Sequence, residues 1–134
     1  MSGPRVLVTG SRDWPDPQQV WEVLDNLRAR CWAMTLVHGA CPRGVDRFAD
    51  IWACRTVGVT VERYPANWRE HGKAAGPKRN EAMVELGANL CLAFIHNGSR
   101  GATHCAQIAE AAGIEVRRFE LGDPPILLAA ARSL

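Results

Sequence analysis

The sequence predicts an α/β fold: a single Rossmann-like, doubly wound parallel sheet of about five strands with helices on both faces. Three observations carry this. First, β-rich runs alternate with segments whose apolar residues recur at helical spacing, and such alternation builds parallel sheets through right-handed crossovers. Second, three of these runs lead into loops that hold glycine and a cation: Gly10-Ser11-Arg12, Gly39 to Gly44 with Arg43, and Gly98-Ser99-Arg100. Third, the run from Ala88 to Ile95 is nearly all apolar, as suits a strand covered on both faces.

Arg5 to Thr9 is a β-rich run stopped by Gly10 and reads as a central strand. A loop follows, rich in Gly, Asp and Pro. Val20, Leu24 and Leu27 then recur at helical spacing, which predicts a first helix from Pro17 to Cys31. Asp16 suits its cap and Pro17 its first turn. Met34 to Val37 is the second strand, ending at His38-Gly39, and Val45 to Val57 reads as a helix with Phe48, Ile51, Trp52 and Cys54 near one face. Val59 to Tyr64 alternates with period two and is the third strand. Pro65 to Gly76 reads as a polar loop, and Pro77 opens a third helix whose apolar side holds Ala82, Met83 and Leu86. Gly87 ends that helix. After the fourth strand, a fourth helix runs from about Ala102 to Ala112, and Glu115 to Phe119 is a fifth, edge strand.

The chain of 134 residues is 47% apolar and 22% charged, which fits one globular domain with a real core. Residues 1–121 read as a ligand-binding domain and 122–134 as a short tail, apolar and helical from Ile126. The net charge of +2 falls short of the basic stripe of nucleic-acid binders, so nucleic acid is disfavoured as a partner. No apolar run approaches the ~20 residues that span a bilayer, and no signal-peptide core opens the chain. The expected location is cytoplasmic. Five cysteines, Cys31, Cys41, Cys54, Cys91 and Cys105, lack a disulfide-scaffold spacing and read as free thiols, with Cys31, Cys54 and Cys91 as small core side chains.

In a doubly wound sheet, ligands bind at the carboxyl ends of the strands, near the switch point. With strand order 3-2-1-4-5, the loops after strands one and four are neighbours. Cations collect at these ends: Arg12, Arg43, Lys78 and Arg79 in the first turn of the third helix, and Arg100 and His104 at the start of the fourth. A cation in a first helical turn opposes the helix dipole, an arrangement that makes sense with an anion between them. Glycines let backbone N–H groups approach a phosphate, and arginine grips it bidentately. The dinucleotide fingerprint and the P-loop are both absent, and so is any standard zinc spacing, so neither a cofactor nor a metal is expected. Asp46 reads equally as a ribose contact or a helix cap, while Asp50 reads as an ordinary helix-start charge. Trp14 and Trp68 fall in loops and read as base-stacking surfaces or as loop anchors. Asp13, Asp46, Glu70 and Glu81 are the general acid–base candidates.

Four segments, Val8 to Trp14, His38 to Asp46, Ala75 to Met83 and Asn97 to Thr103, stand together in a way that resembles YspA-type members of the SLOG superfamily. This Rossmann-like group includes the cytokinin-activating LOG enzymes and DprA. The resemblance covers about Val6 to Phe119 and implies binding of nucleotides or nucleotide-derived signals, often in prokaryotic or phage conflict systems. LOG enzymes cleave nucleoside monophosphates with an arginine in an Arg-Lys-x-x-Met segment and a glutamate after a glycine loop. Arg79 and Met83 match the first motif, with Asn80 at the lysine position. The glutamate position falls on Cys105, or on Ala106 with a one-residue shift, and neither supplies a carboxylate for an oxocarbenium-like centre. That departure weighs against LOG-type cleavage and leaves phosphate and ribose binding.

The resulting expectation is a module that binds a phosphorylated, ADP-ribose-like nucleotide signal as sensor or sponge. Its ligand-binding residues are Gly10, Ser11, Arg12, Asp13, Gly39, Arg43, Gly44, Asp46, Arg79, Asn80, Asn97, Gly98, Ser99, Arg100, Gly101 and Thr103. The alternative is a hydrolase acting on an N-glycosidic or phosphoester bond. The apolar tail and helix faces point to self-association as a dimer.

Overall fold

The computed structural model describes residues 3–125. The apolar stretch read as a helical tail, 126–134, lies outside the described residues. In chain order the elements are β1 (Arg5–Gly10), α1 (Pro17–Arg28), β2 (Met34–His38), α2 (Val45–Arg55), β3 (Val59–Arg63) and α3 (Trp68–His71). A 3-10 turn (Gly72–Ala74), α4 (Ala75–Glu85), β4 (Leu90–Phe94), α5 (Arg100–Ala111) and β5 (Glu115–Phe119) follow. The five strands form one sheet in the order β3-β2-β1-β4-β5, with every pairing parallel. Val6 of the central strand lies between Leu36 of β2 and Leu90 of β4.

Alternation along the strands splits the core into two layers. Val6, Val8, Leu36, Leu90 and Leu92 face α1 and α2, where Val20, Leu24, Leu27 and Trp52 cover them. Leu7, Val37 and Cys91 face the other way, onto Met83 and Val84 of α4 and Cys105 and Ala109 of α5. In α1 the Asp16 side chain accepts from the Gln19 amide at 3.3 Å, with Pro17 first in the helix. A cap of this kind contributes about 1 kcal/mol. Each fully buried Val or Leu contributes about 1.5–3 kcal/mol, so the apolar face outweighs the cap in fixing this helix. The helix ends at Arg28, three residues before the expected Cys31. The Arg28 guanidinium turns back onto the Cys31 carbonyl at 2.6 Å and the Val57 carbonyl at 3.0 Å.

The β3–α4 connection differs most from expectation. Instead of a plain loop it holds the α3 turn, capped by Asn67 Oδ1 on the Glu70 amide at 3.1 Å. Helix α4 then begins at Ala75, two residues before Pro77. Lys78 therefore sits at the end of the first turn and Arg79 in the second. The buried side of α4 is Ala75, Gly76, Asn80, Met83 and Val84, while Ala82 and Leu86 are exposed. A polar Asn80 occupies the inner face because it bonds α5, and this hides the helix's apolar stripe from a pattern search. Of the cysteines read as core, Cys91 is buried, Cys31 half-buried and Cys54 exposed. Cys54 points instead toward the polar pair Asp50 and Arg63.

Candidate functional site

The chemistry-bearing loops gather at the carboxyl ends of the strands. Ser11 ties two of them together. Its amide donates to the Phe94 carbonyl at 2.9 Å. Its hydroxyl donates to the His96 carbonyl at 3.1 Å and accepts from the His96 amide at 2.7 Å. Asn97 Nδ2 adds a bond to Asp13 at 3.2 Å. The two Gly-Ser-Arg triplets thus start from one hydrogen-bonded seam across β1 and β4. Trp14 packs beneath it, 2% exposed, edge-on to Phe94 and His96, with its indole N–H on the Asp16 carbonyl. Of its two readings, the loop anchor is the one realised.

The β2–α2 loop closes against the same seam. Gly44 stands at φ 74°, ψ −148° as the residue before α2, a conformation open almost only to glycine. A Cβ there would overlap the Ser11 carbonyl and the Arg12 Cα, and one at Gly10 would overlap Val45. Asp46 is 7% exposed and accepts from the Cys41 amide at 3.1 Å, with a second backbone bond from Gly39. Its carboxylate braces the preceding loop and does not cap the helix. Burial pushes this carboxyl up, against the opposing pull of the Cys41 amide, His38 and Arg79.

Arg79 and Asn80 form a third tie. The Arg79 guanidinium donates to the Gly39 carbonyl, to the Tyr64 carbonyl at 3.3 Å and to Asn80 Oδ1 at 2.9 Å. Asn80 Nδ2 donates to the Gly101 carbonyl at 3.2 Å and lies 3.2 Å from His104 Nδ1. Cys105, one of the two residues (with Ala106) that the resemblance sets at the LOG glutamate position, is fully buried. Burial raises its thiol to about 11, against a bond from Thr9 and the charge of Arg79. Little of it is thiolate near neutral pH.

What these ties leave open is the start of α5. Asn97 and Gly98 both take positive φ, 54° and 61°. Ser99 makes no side-chain cap bond, and no acidic residue occupies the first turn. Among the described residues, the first amides of α5 therefore have no side-chain partner. A Cβ at Gly98 or Gly101 would meet nothing within 4 Å among the described residues. Arg12, Arg43 and Arg100 are exposed, and among the described residues none of them makes an ion pair. Thr103 is half-buried, its amide on the Ser99 carbonyl. Arg12 lies over the Trp68 indole, 5.6 Å from its centroid.

Two cavities flank this centre. One of about 450 Å³ lies beyond β2 and β3, between Cys41, Pro42, Arg47 and Arg63. The other, of about 500 Å³, lies beyond β4 and β5, between Asn97, Gly98, Arg118 and Leu121. The first contains a cluster that residue patterns did not single out. His38, 2% exposed, accepts the Ala40 amide on Nδ1 at 2.9 Å and meets Asp50 through Nε2 at 2.7 Å. Arg63 Nε donates to the same Asp50 oxygen at 2.6 Å. Asp50 is thus a strut between β2, β3 and α2. Its spacing from His38, one strand end to the second turn of the next helix, is the signal that was available. Of the acid–base candidates, Asp13, Glu70 and Glu81 are exposed, with Glu70 bonded to Asn67.

The model of the YspA, cpYpsA-related SLOG family (YAcAr) matches residues 4–71. Among curated proteins, the Gene 61 protein of Mycobacterium phage D29 is 47% identical over 126 residues, covering 90% of this chain and 98% of that protein. No solved structure gives a significant match. Among the described residues no helix is long and apolar enough to cross a membrane.

Proposed function

The chain belongs to the YspA, cpYpsA-related SLOG family, and we propose that it binds a phosphorylated, nucleotide-derived small molecule as a sensor or sponge. The observation that carries this is the Ser11–His96 seam. It sets Gly10-Ser11-Arg12 beside Gly98-Ser99-Arg100 at the switch point of the sheet, where α/β folds take ligands. The uncapped start of α5 and its open glycines offer backbone N–H groups to phosphate. Arg12, Arg43 and Arg100 supply charge at the rim. Arg79 and Asp46 serve behind this surface as braces of the Gly39–Gly44 loop. The likeness to a phage protein supports a setting in conflict between phage and host, where a nucleotide signal is read or withdrawn. Residues 1–121 carry this activity.

The test is incubation with NAD, ADP-ribose and its cyclic isomers, nucleoside monophosphates and cyclic dinucleotides. Melting temperature and chromatography of the ligand released on denaturation are followed together. A ligand that raises the melting temperature and returns intact, with the shift lost in Arg100→Ala, supports the reading. A ligand returned cleaved identifies a hydrolase. Absence of any shift across the panel overturns nucleotide binding.

A further inference from the structure

Trp68 differs from the other tryptophans of this fold. Trp14, Trp21 and Trp52 each bury the indole wholly or partly and donate its N–H, to the Asp16 carbonyl, the Phe48 carbonyl and Asp25 respectively. Trp32 is exposed but lies between α1 and β2, at the opposite end of the sheet from the loops described above. Trp68 alone is exposed at the carboxyl ends, 49% accessible. Its indole N–H finds no partner among the described residues. Its placement is nevertheless defined. Asn67 caps the short turn that carries it, and the edge of its six-membered ring abuts Gly76, where a Cβ would sit 3.4 Å away.

Among the described residues, the cation over the ring is the Arg12 guanidinium. Arg12 directly follows Ser11, whose hydroxyl joins the two triplet loops, and it has no carboxylate partner among the described residues. An exposed cation–π contact is weaker than a charge-assisted bond from arginine to phosphate. When an anion arrives at the seam, Arg12 therefore gains by turning to it, and the flat face of Trp68 is uncovered beside the bound phosphate. A planar heterocycle attached to that phosphate through a sugar is the group that such a face accepts.

We propose that Trp68 is the base-stacking platform of the site and that Arg12 is its displaceable cover, so that the ligand class is a nucleobase-bearing phosphate rather than a sugar phosphate alone. This rests on the nucleotide-binding reading above and goes beyond it by assigning the base.

The experiment compares AMP and ADP-ribose, which carry a base, with ribose 5-phosphate, which does not, by titration calorimetry on the wild-type protein, Trp68→Ala and Trp68→Phe. Melting temperatures of the free proteins check that both variants fold. The expected result is that a base-bearing probe binds wild type more tightly than ribose 5-phosphate, by roughly 5- to 150-fold for one stacked base. Trp68→Ala should erase that preference while leaving ribose 5-phosphate affinity within about twofold, and Trp68→Phe should keep most of it. Unchanged preference in Trp68→Ala overturns the platform and leaves nucleotide binding standing. Equal wild-type affinity for all three probes does the same. No binding of any of the three probes to wild type overturns the platform, whereas the nucleotide-binding reading is overturned only when the full panel above also gives no shift.

Discussion

Ser11 and His96, 85 positions apart in the chain, exchange two hydrogen bonds through a single hydroxyl. The exchange welds the loop after β1 to the loop after β4, and Ser11 itself is fully buried. Ser11→Ala strands a backbone amide and a carbonyl in a partly buried place, at a cost of about 1–3 kcal/mol. Urea unfolding should show the midpoint falling without a change in slope, and ligand-induced stabilisation should weaken in parallel. Ser11→Thr, which keeps the hydroxyl, should lose less.

Gly44 and Gly98 both take positive φ, 74° and 61°, yet they should respond differently to alanine. Gly44→Ala combines a nearly glycine-only conformation with overlap onto Ser11 and Arg12, and should lose roughly 3 kcal/mol or more. Gly98 faces open space, so Gly98→Ala should lose only about 1 kcal/mol. Thermal melts of the two variants side by side decide this, and equal losses would contradict the packing described around Gly44.

The carboxyl of Asp50 is held down to about 2, first by the Arg63 hydrogen bond and then by His38. A carboxyl depressed in the folded state stabilises the fold fully above its unfolded value, near 3.9. That contribution is lost as pH falls toward 2. Wild type should therefore lose stability between about pH 4 and pH 2 through this group. Asp50→Asn should be less stable at pH 7 and show a shallower decline over that window in denaturant midpoints.

Thiol reactivity should follow burial. Cys54 is exposed and should take up iodoacetamide at pH 8 within minutes. Cys105, raised to about 11, and Cys91, raised further by deeper burial, should react only after unfolding. Peptide mass spectrometry of timed samples separates them. Fast labelling of Cys105 in the native protein would contradict its place on the buried face of α5.

β1, β2 and β4 are legible as short apolar runs cut by glycine or polar residues, β3 by its period-two alternation, and β5 has the bounds its sequence predicts. The strand order assumed for the site, 3-2-1-4-5, is the order found. The gathering of Gly10, Ser11 and Asp13 with Asn97 follows from that order. What stayed hidden depends on partners distant in sequence. Arg79 looks like a free cation, yet its guanidinium is turned onto backbone carbonyls of Gly39 and Tyr64. Asp50 looks like a solvated helix charge until β3 brings Arg63 alongside. Trp14 and Trp68 are alike as loop tryptophans in the sequence, and they are separated by what surrounds them: Phe94, His96 and the Asp16 carbonyl about Trp14, and the Arg12 guanidinium over a half-exposed Trp68.

The place of β1 in the middle of the sheet bears on how the protein is made. Synthesis delivers β1, β2 and β3 first, the strands that make one side of the finished sheet. The other flank of β1 waits for Leu90 to Phe94. Until then Val6 to Thr9 present an unpaired apolar edge, the kind of surface that captures other nascent chains. A chain that ends between α4 and β4 would carry this open edge as an adhesive surface. Rapid translation through that interval, or a chaperone on the open edge, is the biosynthetic counterpart of the central strand.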